Sequence, residues 1–239
     1  MVRRVAFWLM LPLSAVQGLW LRRVATRLPG APGARRGSTG AGEPLKFLAL
    51  GDSIIDGVGT DDVSASLPGQ FASLLARQTR QSVHWRVEGQ SGYAIDDVLE
   101  RLKSLRDISP PDIVLVSVGV NDVTGLSSTR RWRIKLKELL NLMGQYWPDA
   151  RVIFAGLPPM SQFPLPPQPL RFTLGLRAAT LDRIAAGVMA TYPNAHHVPT
   201  LIDPQQPGFC EDGFHPSAES CTLWASHILQ THQGVNPHE

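Results

Sequence analysis

The chain has 239 residues, of which 43% are hydrophobic and 18% are charged, a composition typical of a globular protein with one sizeable core. Its formal net charge is +3, but residues 1–43 hold seven of the 23 Lys and Arg residues and one of the 20 Asp and Glu residues, so residues 44–239 carry −3. A slightly acidic domain lacks the basic surface that nucleic-acid binding requires, and the sequence contains no recognition motif. We therefore expect no nucleic-acid partner.

Residues 1–43 have the layout of a membrane-targeting segment followed by a linker. Two arginines precede an uncharged run over residues 5–21, three more follow it, and residues 28–44 are rich in Pro, Gly and Arg. The run is long for the core of a signal peptide and short for a spanning helix, so an uncleaved anchor, a cleaved signal and a soluble helix all stay open. We expect a protein that is membrane-associated or exported, to the envelope in a bacterium, with a cytoplasmic position still open. A chain that starts near Glu43 should then fold and stay active.

Residues 44–239 alternate between strand and helix patterns and form one predicted domain. The predicted strands cover residues 45–50, 82–88, 112–119, 151–156 and 196–200, and apolar residues at helical spacing lie between and after them. The strand over residues 112–119 is continuous and β-branched, as a central parallel strand should be. This alternation predicts an α/β fold with a five-stranded parallel sheet covered by helices on both faces.

A proline-rich segment follows the fourth predicted strand. Residues 157–172 contain six prolines, too many for a helix or a central strand, so we expect a semi-rigid excursion over the strand ends. Its apolar side chains are candidates for the wall of an acyl site: Leu157, Met160, Phe163, Leu165 and Leu170. A proline-rich ligand for another domain is the alternative.

Polar residues follow the ends of the predicted strands and could form one catalytic site. Ser53 follows the first strand, Gly92 the second and Asn121 the third, while Asp212 and His215 follow the last. Because a serine hydroxyl is a weak nucleophile, it needs an imidazole to take its proton and an acid to orient that imidazole. A tetrahedral intermediate also needs hydrogen-bond donors for its oxyanion, which backbone N–H groups and the Asn121 amide can supply.

In chain order, Gly51-Asp52-Ser53, Gln90-Ser91-Gly92, residues 119–122 and residues 212–215 resemble the four blocks of the GDSL or SGNH hydrolase family. The resemblance implies a three-layer α/β/α, flavodoxin-like fold and ester hydrolysis through an acyl-enzyme, without cofactor or metal. It implies Ser53 as the nucleophile, His215 as the base and Asp212 as its orienting acid. The Ser53 amide, Gly92 and Asn121 would be the oxyanion donors.

One block departs from the family pattern, so a second residue is also a candidate for the backbone oxyanion donor. The family often has an asparagine ahead of the glycine, where this chain has Glu88, so Gly89 is another candidate donor. Family members act on acyl lipids, acetylated sugars, thioesters and small aryl esters. A small-molecule or lipid ester is therefore the expected substrate class.

Two other functions remain open from the residues alone. The acids at positions 52, 56, 122 and 212 could, with His215, hold a divalent metal for phosphoester hydrolysis. Alternatively, the chain could be a catalytically silent, membrane-tethered binding module on an esterase fold. Cys210 and Cys221 are too few for a disulfide framework; we expect unpaired thiols, with a bridge conceivable if the domain is exported.

Overall fold

The computed structural model describes residues 2–200 and 208–233. The helices are α1 (Val2–Val24), α2 (Ser53–Asp56), α3 (Leu67–Thr79), α4 (Ile95–Lys103), α5 (Val120–Thr124), α6 (Thr129–Tyr146), α7 (Leu170–Met189) and α8 (Ala218–Gln233). The strands are β1 (Arg36–Thr39), β2 (Pro44–Gly51), β3 (Ser82–Gly89), β4 (Ile113–Ser117), β5 (Arg151–Ala155) and β6 (Ala195–Val198). The five predicted strands are present as β2 to β6, and β1 is an additional one.

The six strands form one sheet in the order β1-β3-β2-β4-β5-β6. Strands β2 to β6 are parallel, whereas β1 runs antiparallel to β3 at the edge. Every residue of β4 is buried, as expected for a central strand covered on both faces. Because Gly51 lies opposite both Gly89 and Ser117, the carboxyl ends of β2, β3 and β4 meet at one edge. The polar residues that follow these strands therefore start from neighbouring points.

Helices cover both faces of the sheet, which confirms the predicted three-layer α/β/α arrangement. Leu48 and Leu50 of β2 join the core under α4, α6 and α7. Phe47 and Ala49 join the core on the opposite face, under α3 and α8. This alternation follows from the two-residue period of a strand, which sends successive side chains to opposite faces.

The sheet begins earlier in the chain than the sequence predicts. Strand β1 comes from the predicted linker, with Arg36 paired to Arg86 and Thr39 paired to Val83. Apart from Thr39, its residues have little β-propensity, so β1 is stabilised by pairing with the edge of β3 rather than by local preference. We call residues 28–39 the N-terminal strap. Ala31 within the strap is buried, so part of the predicted linker belongs to the folded unit.

Helix α1 packs along α7 through polar contacts. The Gln17 side chain donates from Nε2 to the Gln168 carbonyl (2.8 Å) and accepts at Oε1 from the Leu170 N–H (3.0 Å). One turn earlier, buried Ser14 is hydrogen-bonded through Oγ to Thr173 Oγ1 (3.1 Å). Gln17 thus satisfies a backbone donor in the first turn of α7, which otherwise has no partner within that helix. Together, the contacts of Ser14 and Gln17 fix which face of α1 meets α7.

The outer face of α1 is apolar and exposed. Leu13, Val16, Leu19 and Trp20 are each more than half exposed. Within residues 2–200 and 208–233, no helix is both long and apolar enough to cross a membrane.

The sequence prediction that apolar residues of the proline-rich segment line an acyl site is correct only in part. Leu157 and Met160 are buried in the core beneath α7, so they are packing residues rather than an exposed acyl wall. Phe163 belongs to the same core but also lines a cavity, and Leu165 and Leu170 line a second cavity. The difference arises because the short 3-10 turn at Met160–Gln162 packs against α7.

Candidate active site

Ser53 is the first residue of α2, directly after the carboxyl end of β2. A side chain at Gly51 would lie 1.9 Å from the Ser117 carbonyl oxygen, so only glycine fits where the two strands approach. The Asp52 carboxylate then accepts a hydrogen bond from the Ile54 N–H (3.1 Å) and caps α2. Ser53 is largely buried but reaches a cavity wall. The turn therefore fixes the serine at the sheet edge.

Asp212 and His215 form an oriented pair. His215 Nδ1 lies 2.6 Å from Asp212 Oδ2, and Asp212 Oδ1 accepts from the Phe214 and His215 N–H groups (2.9 and 3.0 Å). Burial raises the pKa of Asp212, but these hydrogen bonds from His215 and Phe214 outweigh burial and lower it overall. Since an ionised carboxylate only accepts, Nδ1 carries the proton and Nε2 is left as the basic nitrogen.

Three hydrogen-bond donors are available for an oxyanion. The Asn121 amide donates to the Tyr93 carbonyl (2.9 Å), which orients Nδ2 and leaves its second N–H free to bind a ligand. The backbone N–H groups of Ser53 and Gly92 have no hydrogen-bond partner in the described part of the chain. Gly92 has φ +92° with open space around it, so the backbone conformation requires glycine there.

Gly89, the other candidate donor, has a packing role. It lies in β3 opposite Gly51, and a side chain at this position would come within 2.5 Å of the Asp56 backbone nitrogen. Close approach of β3 to α2 accounts for the glycine. Glu88, which departs from the family pattern, forms ion pairs with Arg86 and Arg101.

Two cavities meet at His215. One, of about 300 Å³, is lined by Ser53 and His215, and the other, of about 620 Å³, is lined by Asn121, Asp212 and His215. No hydrogen bond joins Ser53 Oγ to His215 Nε2 among the described residues. Catalytic hydrogen bonds often tighten only when substrate binds, so the shared cavity wall is the informative observation.

Two further acids support the site, and sequence reasoning assigned them no supporting role. Asp56 Oδ1 accepts from Arg35 of the N-terminal strap (2.6 Å), while Oδ2 accepts from the Ser91 N–H (3.1 Å) beside Gly92. Asp122 accepts from the Ile95 N–H (3.0 Å) at the start of α4. Both acids thus fix the ends of the loop that carries Gly92. The sequence shows both acids beside other candidate site or turn residues, Asp56 before Gly57 and Asp122 after Asn121. Their hydrogen-bond partners could not be predicted, because they are distant along the chain.

The acids considered for a metal site do not converge. Asp52 caps α2, Asp56 pairs with Arg35, and Asp212 holds His215. Among the residues that the structure describes, no group of three or more His, Cys, Asp or Glu side chains is arranged to hold a metal ion. The geometry therefore favours serine chemistry over the metal-dependent alternative.

Both cysteines are unpaired, in line with the expectation of free thiols. Cys210 is half-buried, with Sγ 3.2 Å from the Pro216 carbonyl oxygen, and Cys221 is buried. Burial raises the pKa of the Cys221 thiol to about 12 and also raises that of Cys210. Both therefore stay protonated at neutral pH and act as small packing groups.

Solved structures share this fold. TesA superposes with a TM-score of 0.63 at 18% identity over 80% of this chain and 99% of that one. A lipase/acylhydrolase from Enterococcus faecalis gives 0.60 at 24% identity (80% and 96% covered), and a family 3 carbohydrate esterase from Clostridium thermocellum gives 0.62 at 18% (79% and 94%). Comparison with curated proteins finds no significant match.

The sequence also matches a family model. The model of the GDSL-like lipase/acylhydrolase family covers residues 49–220, more than half of the chain. The matched region includes Ser53, Gly92, Asn121, Asp212 and His215. The chain therefore belongs to the GDSL-like lipase/acylhydrolase family and is a serine hydrolase that acts on esters.

Proposed function

We propose that the protein hydrolyses carboxylic esters through an acyl-enzyme formed on Ser53. The observation that carries this proposal is the His215–Asp212 pair, whose imidazole lines the same cavity as Ser53. Ser53 Oγ bonds to the ester carbonyl carbon while its proton passes to His215 Nε2. The carbonyl oxygen becomes an oxyanion that accepts hydrogen bonds from the Ser53 and Gly92 N–H groups and from Asn121.

Collapse of this intermediate breaks the bond to the alcohol oxygen, which takes the proton from His215 as it leaves. Water then attacks the acyl-enzyme, with its proton passing to the same nitrogen. A second tetrahedral intermediate releases the carboxylic acid and returns the proton to Ser53. Asp212 stays ionised throughout, since its hydrogen bonds keep its pKa low, and it stabilises the imidazolium.

Replacement of the nucleophile tests the proposal. Ser53→Ala should lower kcat on p-nitrophenyl butyrate by several orders of magnitude, on the order of 10⁶-fold, because the acyl-enzyme can no longer form. Labelling by a fluorophosphonate should also be lost. Ser220→Ala is the matched control, since Ser220 lines the same cavity, and it should keep both activity and labelling.

Two outcomes would contradict the proposal. A Ser53→Ala protein that kept most of its activity would exclude Ser53 as the nucleophile, and EDTA sensitivity with no labelling would favour the metal-dependent alternative. A folded wild-type protein that turned over no ester, thioester or acetylated glycan would favour the binding module.

We also propose that the enzyme works at a lipid surface through α1. Its exposed face carries Leu13, Val16 and Trp20, and Arg23 and Arg27 are exposed near its end. A helix with an apolar face and flanking arginines binds the interface of a bilayer that contains anionic lipid. This placement makes lipid esters the leading substrates, on whichever side of the membrane the domain lies.

A further inference from the structure

A cavity of about 620 Å³ lies between α1 and α7 and extends to the reaction centre. Asn121 and His215 are among its lining residues. The others include Gly18 and Leu21 of α1 and Leu174 of α7. The volume falls within the range of small-molecule sites in proteins. Helix α1 lies outside residues 49–220, so this wall is an addition to the family domain.

Three polar side chains in these walls are already paired with protein atoms. Ser14 and Thr173 are hydrogen-bonded to each other, and Arg177 donates from Nε to the Val123 carbonyl (3.1 Å) and from its terminal nitrogen to the Ser127 carbonyl. Since these groups are satisfied without a ligand, a hydrocarbon chain beside them leaves no buried group unpaired. The cavity is therefore suited to an apolar ligand.

We propose that this cavity binds the acyl chain of the substrate, so that α1 makes the enzyme selective for medium-chain and long-chain fatty esters. The inference rests on the proposed function. The Asn121 amide would hold the carbonyl oxygen, so the carbonyl carbon would lie near Asn121 and Ser53. Of the two cavities at this point, the larger one, which Asn121 lines, has the volume and the paired walls that suit a long hydrocarbon chain.

The alcohol part of the ester has a separate place. The smaller cavity reaches Ser53 and His215 but not Asn121. His215 also lines this cavity, so an alcohol held there would lie beside the ring that protonates it as it leaves. With the acyl chain in the larger cavity, the smaller cavity would therefore receive the alcohol part.

Gly18 is the position at which the acyl site can be shortened. A Cβ at Gly18 would meet no atom within 4 Å, and the residue lines the cavity, so a larger side chain there occupies open space. Each buried methylene contributes about 0.8 kcal/mol, which corresponds to roughly fourfold in kcat/KM. Gly18→Leu should remove this gain for the acyl carbons that the new side chain displaces from the cavity.

The test uses the full-length chain and p-nitrophenyl esters of acetate, butyrate, octanoate and dodecanoate. Wild-type kcat/KM should rise at least about tenfold from acetate to octanoate. Gly18→Leu should lower kcat/KM on octanoate and dodecanoate by roughly tenfold and leave acetate within about twofold. Gly187→Leu is the matched control, since Gly187 lies on the exposed face of α7 with open space around it. It should leave the whole profile unchanged.

A binding measurement separates this inference from the proposed function. The fluorescent fatty acid cis-parinaric acid should bind the Ser53→Ala protein, and adding Gly18→Leu should raise its Kd about tenfold. If no ester is hydrolysed but this shift occurs, the proposed function fails and the acyl site stands. If esters are hydrolysed and Gly18→Leu leaves the chain-length profile unchanged, or lowers all esters equally, the acyl site is overturned.

Discussion

The Asp52 carboxyl group lies one residue before Ser53 and is 1% exposed. Its pKa is raised from 3.8 to about 7, mainly by burial and also by the nearby Asp122 carboxylate, while the hydrogen bond from the Ile54 N–H opposes both. The folded protein thus holds this proton at pH values where the unfolded chain has lost it. As pH rises from about 4 to about 7, this group makes the folded state progressively less stable.

Asp52→Asn should therefore stabilise the protein at alkaline pH. Asparagine keeps the oxygen that caps α2 but never ionises, so the gain should be absent near pH 4 and reach at most about 4 kcal/mol at pH 8. Urea denaturation at both pH values measures it. Asp62→Asn is the control, because hydrogen bonds from Ser64 lower the pKa of this exposed cap. Its replacement should therefore make the folded protein less stable at pH 8 than the wild type. An equal gain at both pH values would contradict this explanation.

At the residue scale, the sequence predicts those contacts of the site whose partners lie close together along the chain. Asp212 and His215 are three residues apart and share one turn, and Ser53 follows a glycine that ends a strand. The contact of Asp56 with Arg35 could not be predicted, because Arg35 lies in a segment whose composition indicates a linker. Its position depends on the pairing of β1, which is a tertiary contact.

At the scale of elements, β4 was predictable from its continuous apolar run and the helices from their apolar periodicity, whereas β1 and the docking of α1 were not. The run in α1 is uncharged and mostly apolar, so its sequence alone does not reveal which face meets the protein. The structure shows that the small and polar residues Ser14, Gln17 and Gly18 face inward, spaced as one helical stripe. Leu13, Val16 and Trp20 face outward, whereas an ordinary core helix turns its large apolar residues inward.

The N-terminal strap should matter more to stability than the sequence suggests. A chain starting at Leu28 keeps buried Ala31, the Arg35–Asp56 ion pair and β1, whereas a chain starting at Glu43 loses all three. We expect the shorter chain to be less stable than the longer one by roughly 2 to 4 kcal/mol, measured by urea denaturation. Equal midpoints for the two truncated chains would show that residues 28–42 are a dispensable linker after all.

At the scale of the whole molecule, the net positive charge and an exposed apolar surface lie in the same N-terminal segment. The first 43 residues carry the net positive charge, and the exposed face of α1 lies among them. Fold class and the edge that holds the site were predictable from the alternation of strands and helices. The proximity of α1 to that edge was not, since no local pattern encodes it.

The full-length protein should sediment with vesicles that contain phosphatidylglycerol. Trp20→Glu should weaken this binding by roughly tenfold or more, since a charge replaces a large apolar side chain on the face proposed to enter the interface. Ile134→Glu is the matched control, because Ile134 is an exposed apolar residue on α6 and should have little effect. Equal binding of both variants would place the lipid contact elsewhere.

The N-terminal strap also sets how far α1 can travel. The Pro29 carbonyl accepts a hydrogen bond from the Gly59 N–H (3.3 Å). Directly after α1, the Ala25 N–H donates to the Leu21 carbonyl (2.8 Å). A chain extends at most about 3.6 Å per residue, so the steps from Ala25 to Pro29 span roughly 14 Å. Any swing of α1 away from α7 is limited to this tether. A bilayer that captures α1 would therefore hold the end of that helix within about 14 Å of Pro29, which is fixed to Gly59 of the folded domain.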